Sequence, residues 1–386
     1  MVQEYLNWFR RTLRWAWIYL LYGTGLIAWA RRRIHRKHRG IIVLTLHRVL
    51  DETDYQKTNS PQGMIIRRRT FEDLLKHLQK NYNIISLTGE PPSWDTCKGK
   101  PRFAVTFDDG WKDTCEVALP LARRFGVPVT VFVCPGLTGQ CSPFWPEQIR
   151  RIGLGAWQGP ATKKEFLNLF AELGISDMPS TEVLAESELE MLVKRLKELT
   201  PPRRERILRE ALGLEHKYGT VPVSTLMDAT MTWEDTAHII SLGSQVGSHT
   251  QNHQILLTLA LSQARQELCD SKLVIQRMLG RDCSLFAYPN GAWSAEVRRL
   301  VIEAGYNQAF SNETGVWTST TDSWVIPRVN IWEGSVSGPS GRFSPVIFEY
   351  ATFWRGLRAE IRTRIEEPTS KFEGKDNEPN SSVSSL

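Results

Sequence analysis

From Ile41 onward the chain alternates short apolar runs with amphipathic stretches, and this alternation limits the fold more than any other feature. The runs Ile41–Leu46, Ile84–Leu87, Phe103–Phe107, Val129–Cys134, Gln245–Ser248, Leu285–Tyr288 and Val325–Ile331 read as strands. Helical periods lie between them: Phe71, Leu74, Leu75 and Leu78 share one face, and Leu261, Ala264, Leu268, Leu273, Ile275 and Leu279 mark another helix. Strands alternating with helices predict an α/β fold, a mainly parallel sheet or barrel with its chemistry at the C-terminal strand ends. The strand-bearing parts, 40–145 and 222–335, flank a stretch at 146–221 that is rich in Glu, Lys, Arg and Leu at helical spacing and has no strand-like run. That stretch reads as a helical insertion in one large unit. A helical extension is expected over 336–367, and 368–386 carries too few apolar groups to bury itself and is expected to be disordered.

Apolar residues make up 41% of the 386 and charged residues 23%, close to soluble averages, so most of the chain should bury a core. The formal charge of +6 does not point to nucleic acid, because the basic residues gather in residues 1–39 instead of forming a stripe interleaved with stacking aromatics. There Arg10, Arg11 and Arg14 precede an uncharged run, Trp15 to Ala30, and Arg31, Arg32, Arg33, Arg36, Lys37 and Arg39 follow it. Sixteen residues make a helix of only ~24 Å against a hydrocarbon core of ~30 Å. A surface-lying or re-entrant anchor and a full span are therefore both open, and a buried helix with basic ends is the plainer alternative. No small-residue cleavage site ends the run, which argues against a cleaved signal peptide. If the run spans, the heavier charge after it puts the rest of the chain on the cytoplasmic side. The six cysteines contain no C-x-x-C pair; an even count permits disulfides, but buried free thiols in a reducing compartment are the preferred reading.

The strand Phe103–Phe107 ends abruptly in Asp108, Asp109 and Gly110. Two adjacent ionised carboxylates repel, so they suit cation binding or a division between base and ligand; a polar turn is the alternative. A later strand runs into His249-Thr-Gln-Asn-His253, whose imidazoles, four residues apart, would face the same way on a helical turn and could grip one metal ion. One carboxylate with two imidazoles on one face leaves positions open for water and substrate. Zinc is the first choice for such a nitrogen and oxygen set, with Co2+ or Ni2+ as substitutes.

T-F-D-D-G followed by H-[ST]-x-x-H resembles the polysaccharide deacetylase family, which contains the NodB homology domain and carbohydrate esterase family 4. The matched region runs from about Ile41 to Ile331 and excludes the N-terminal segment and the tail. The resemblance implies a distorted (β/α) barrel, with Asp108 as general base and Asp109, His249 and His253 as metal ligands. Phe286-Ala-Tyr-Pro-Asn290-Gly-Ala-Trp293 is similar to a further family motif in which the backbone N–H after the proline, here that of Asn290, receives the oxyanion. Two departures stand out. The arginine that orients the base in many members is Ala287 here, and Arg328 is the candidate replacement; the usual late histidine acid is absent, since no histidine follows His253. His47, at the end of the first strand, resembles the acid of the rearranged branch typified by poly-N-acetylglucosamine deacetylases. Trp111, Trp145, Trp293, Trp317 and Trp332 fall partly in loops after strands, where sugar faces could stack, although core packing is the default for each.

The reading is a metal-dependent N-deacetylase of amino sugars in a polysaccharide or saccharide precursor, in bacterial surface-glycan or exopolysaccharide synthesis. It would be held at the cytoplasmic face of a bacterial inner membrane by residues 1–39, with an N-acetylated glycan or lipid-linked saccharide as its partner. The alternatives are deformylation or deacetylation of a lipid-linked sugar, and an inactive sugar-binding barrel.

Overall fold

The computed structural model describes residues 2–37, 39–94, 99–140, 144–157, 159–171, 184–218 and 228–366. Eight strands form one parallel sheet: β1 (Ile41–Leu46), β2 (Asn83–Ile84), β3 (Arg102–Phe107), β4 (Val129–Val133), β5 (Gln245–Ser248), β6 (Leu285–Ala287), β7 (Gln308–Phe310) and β8 (Val329–Asn330). Their order is β8-β1-β3-β4-β5-β6-β7, with β2 beside the start of β3. Ile326 bridges to Phe310 of β7, and three residues later Val329 pairs with Leu44 of β1, so one short segment ties both edges and curls the sheet into a distorted barrel. The expected α/β barrel is what the chain forms. Every residue of β1, β3 and β4 is buried, as expected where helices cover a parallel sheet.

Two strands are shorter than the apolar runs suggest. β2 stops at Ile84 because β4 takes over the same edge of β3 from Val105, and Ile85 keeps only one bond, to the Phe103 carbonyl. In Val325–Ile331 only β8 joins the ladder; Pro327 has no N–H to give, and the Arg328 N–H goes to the Glu313 carbonyl.

Four helices, Trp145–Ala156, Pro160–Ala171, Glu186–Lys197 and Pro201–Tyr218, lie between β4 and β5. They bury their own apolar cluster around Ile149, Phe166, Phe170, Leu196 and Ile207, separate from the core under the sheet. After the sheet, consecutive helical segments run from Pro345 to Glu366. Phe348 and Phe353 pack on Phe103 and Tyr82, while Ile347 packs against Ile18, Leu21 and Ile27 of the first two helices, Val2–Gly23 and Leu26–Arg32. Arg31 fastens the same joint through Glu349 at 2.6 Å. Gly25, at φ 78°, separates those two helices, and among the described residues no helix is long and apolar enough to cross a membrane. Cys115, Cys134, Cys269 and Cys283 are free thiols. Cys97, Cys141 and the tail 368–386 lie outside the described residues.

Candidate active site

Parallel register gathers the C-terminal strand ends. Leu46 of β1 lies opposite Phe107 of β3, Val133 of β4 opposite Ser248 of β5, and Ser248 opposite Phe286 of β6. The residues that follow, His47, Asp108, Asp109, His249 and Asn290, therefore come to one end of the barrel. Five non-glycine residues have positive φ in the described chain, and four of them, Asp109, Thr250, His253 and Asn290, are in these loops. Such strain survives where the surroundings enforce it, and it collects at functional sites.

Asp109 Oδ1 is 3.5 Å from His249 Nε2 and 3.2 Å from His253 Nε2. These residues form the one set of three metal-capable side chains found among the described residues. The histidines do not sit on a helical turn, as their spacing suggested; their segment is a loop, and left-handed backbone at Thr250 and His253 turns the rings together. Two observations fit this cluster to a cation. Asp109 Oδ1 is buried and has no hydrogen-bond partner, a costly state for a carboxylate oxygen unless a cation meets it. His249 Nδ1 lies 2.8 Å from the Ala287 carbonyl, which makes it the protonated nitrogen and leaves Nε2 with its lone pair toward the cluster. Burial lowers the His249 pKa to about 4, although Asp108 nearby works in the opposite direction, so the ring is neutral and ready to ligate at pH 7. Burial also disfavours the Asp109 carboxylate, but the imidazoles beside it, His253 foremost, outweigh burial and hold the group below its ordinary value.

Asp108 faces Arg328. Nη1 and Nη2 each reach one of its oxygens at 2.7 Å, in a bidentate pair that is fully buried. Nε donates to the Ser311 carbonyl, and the remaining hydrogens go to Thr106 Oγ1 and Asn312 Oδ1. Five donors meet five acceptors, so the guanidinium is locked in place. Burial alone would raise the Asp108 pKa; the Arg328 charge overcomes it and keeps the carboxyl below its ordinary value. His47 Nε2 is 4.0 Å from Asp108 Oδ2, and its Nδ1 is buried without a partner. The Asn290 turn is fixed by its own φ of 58° and by Gly291, where a Cβ would lie 2.5 Å from the Asn312 nitrogen.

Trp111 and Trp317 take the core packing that was the default for each, and the site role of Trp111 escaped the sequence reading. Trp111 is fully buried and donates its indole N–H to Asp109 Oδ2 at 2.9 Å, with the Arg48 guanidinium over its ring at 4.4 Å, so it positions a ligand and offers no face to a sugar. Its place two residues after Asp109 was the only signal. Trp317 is likewise core, against Trp94 and Phe310. The helical insertion adds Lys197, whose ammonium reaches Asn290 Oδ1 at 3.1 Å, and Glu147, which burial and then the Asp109 charge push up to about 7. A cleft of about 340 Å³ separates Pro201, Pro202 and Glu205 of the insertion from Gln251, Asn252 and Gln254 of the histidine loop.

The model of the family described as polysaccharide deacetylase matches residues 95–155 and 193–309. The chain belongs to the polysaccharide deacetylase family. The matched segments contain the Asp-Asp pair, both histidines and Asn290, and the break between them falls within the helical insertion. His47 and Arg328 lie outside them. YxkH of Bacillus subtilis strain 168, whose name also describes it as a polysaccharide deacetylase, is 24% identical over 113 residues, 29% of this chain and 40% of that protein. This chain therefore matches two fifths of the curated relative's length. Among solved structures, the Streptococcus pyogenes deacetylase PplD in complex with acetate is similar at a TM-score of 0.48 and 16% identity, over 77% of this chain and 94% of that one. IcaB from Ammonifex degensii is similar at 0.48 and 15% identity, over 81% and 96%.

Proposed function

We propose that this member of the deacetylase family is a metal-dependent N-deacetylase that hydrolyses the N-acetyl group of an amino sugar in a polysaccharide or saccharide precursor. The observation that carries the reading is the buried, unpartnered Asp109 Oδ1 between two imidazole Nε2 atoms, beside a second carboxylate that is clamped and kept ionised. Asp109, His249 and His253 would hold the ion, with zinc the first choice for this donor set. When bound, a divalent ion supplies Lewis acidity, polarising an amide carbonyl and making water more acidic. Asp108 takes the proton of the attacking water, and Arg328 fixes its orientation and charge. The Asn290 backbone N–H donates to the developing oxyanion. His47 gives a proton to the departing amine, which is a poor leaving group without one.

Attachment to the cytoplasmic face of a bacterial inner membrane goes with this reading, because the basic N-terminal segment complements the anionic surface there. Surface-glycan or exopolysaccharide synthesis suits that place, and the exposed apolar residues of the same segment favour a lipid-linked saccharide as the second candidate substrate. The test is acetate release from N-acetylglucosamine oligosaccharides. Asp108→Asn should keep its metal and lose activity by ~10²- to 10⁴-fold. A wild-type protein that binds the sugar without releasing acetate would leave only a sugar-binding barrel, and a variant within threefold of wild type would remove Asp108 as the base.

A further inference from the structure

The first helix is held by one face and open on the other. Ile18 and Leu21 are buried against Ile347, while Leu13, Trp17 and Leu20 are 54%, 51% and 56% exposed. At 3.6 residues per turn, Phe9, Leu13, Trp17 and Leu20 form one stripe on the far side from Ile18. After the Gly25 break, Leu26 and Trp29 are also exposed while Ile27 and Ala30 stay buried. So many large apolar side chains exposed along one segment mark an interaction site. The charge of the same segment identifies the occupant. Arg10, Arg11, Arg14, Arg32 and Arg36 are exposed. Residues 2–39 hold nine basic side chains and one acid, Glu4, so the rest of the chain is slightly acidic despite the overall +6.

We infer that this stripe seats the protein on a bilayer with anionic headgroups, the helix lying in the plane of the membrane between the lipid and the barrel. Trp17, Tyr22 and Trp29 are rings of the kind that settle at headgroup level, and the segment's exposed arginines can reach lipid phosphates. A second copy of the chain fits less well, because a two-fold contact through this helix would bring two strongly basic segments together. The inference rests on the membrane part of the proposed function and names the face and the lipid chemistry; it does not depend on the hydrolytic reaction.

The experiment is co-sedimentation of the full chain with phosphatidylcholine vesicles, with and without phosphatidylglycerol, for wild type and for Leu13→Glu with Leu20→Glu. Both side chains are exposed, so the fold should hold. Wild type should pellet with the anionic vesicles and bind pure phosphatidylcholine about tenfold or more weakly, and the double variant should lose binding by about tenfold or more. Acetate release from a soluble oligosaccharide should be unchanged, which separates this inference from the catalytic one. Wild type that stays in solution with anionic vesicles overturns it, as does a double variant that still pellets. A dimer by light scattering that the double variant splits would assign the stripe to a second copy instead.

Discussion

Asp108 and Asp109 are neighbours in sequence and both buried, yet their partners assign them different tasks. Asp108 has both oxygens on Arg328; Asp109 has one on the Trp111 indole and one facing the two imidazoles. Trp111→Phe keeps an aromatic ring at this buried position, removes the N–H donor and leaves the volume of the second ring empty. It should weaken metal affinity about 10- to 100-fold, as losses of ligand-orienting hydrogen bonds do, and lower the melting temperature through the cavity it leaves. Competition with a chelator of known affinity measures it, and unchanged affinity would reduce Trp111 to packing. His47→Asn should leave metal content and substrate affinity intact, lower turnover by ~10²- to 10⁴-fold and flatten the alkaline limb of the pH profile. Near-normal turnover with an unaltered profile would make His47 structural.

At the scale of elements, the strands that position the site were legible because a parallel strand covered on both faces reads as an apolar run, and because the run Phe103–Phe107 stops dead at two aspartates. The lengths of β2 and β8 were not legible, since each is set by a neighbour: β4 displaces one, and Pro327 with its surroundings trims the other. Local spacing also suggested a helical turn for His249 and His253. The loop reaches the same convergence through left-handed backbone at two non-glycine residues, which no side-chain period announces. Arg328 was visible only as a candidate near a late strand; its bond to Asp108 joins residues 220 apart in the chain. Lys197 and Glu147 were invisible as site residues, because helical periodicity in the insertion says nothing of where those helices rest.

For the whole molecule, buried titrating groups make stability depend on pH in opposing ways. His249 has a folded pKa of about 4 against an ordinary 6.5, so between those values the unfolded chain takes up a proton that the folded chain refuses, and stability falls as pH drops. His77, also near 4 through burial, acts in the same sense. Glu147, raised by burial and then Asp109 to about 7, and Asp113, raised by burial to about 6, act in the other: the folded form keeps a proton that the unfolded one loses, so their contribution is full below about 4 and is lost as pH rises through the folded values. The His249 share is therefore best read as a difference. In chelated protein, wild type should lose about 2 kcal/mol relative to His249→Asn between pH 7 and pH 5, measured by urea unfolding. Parallel curves would contradict the buried neutral imidazole. The central claim, that Asp109, His249 and His253 hold an ion on which hydrolysis depends, is tested most directly by adding zinc back to chelated protein while following acetate release from N-acetylglucosamine oligosaccharides. Release should be negligible without metal and rise to a plateau at one equivalent per chain; full release by the chelated protein, or none at any metal concentration, would contradict it.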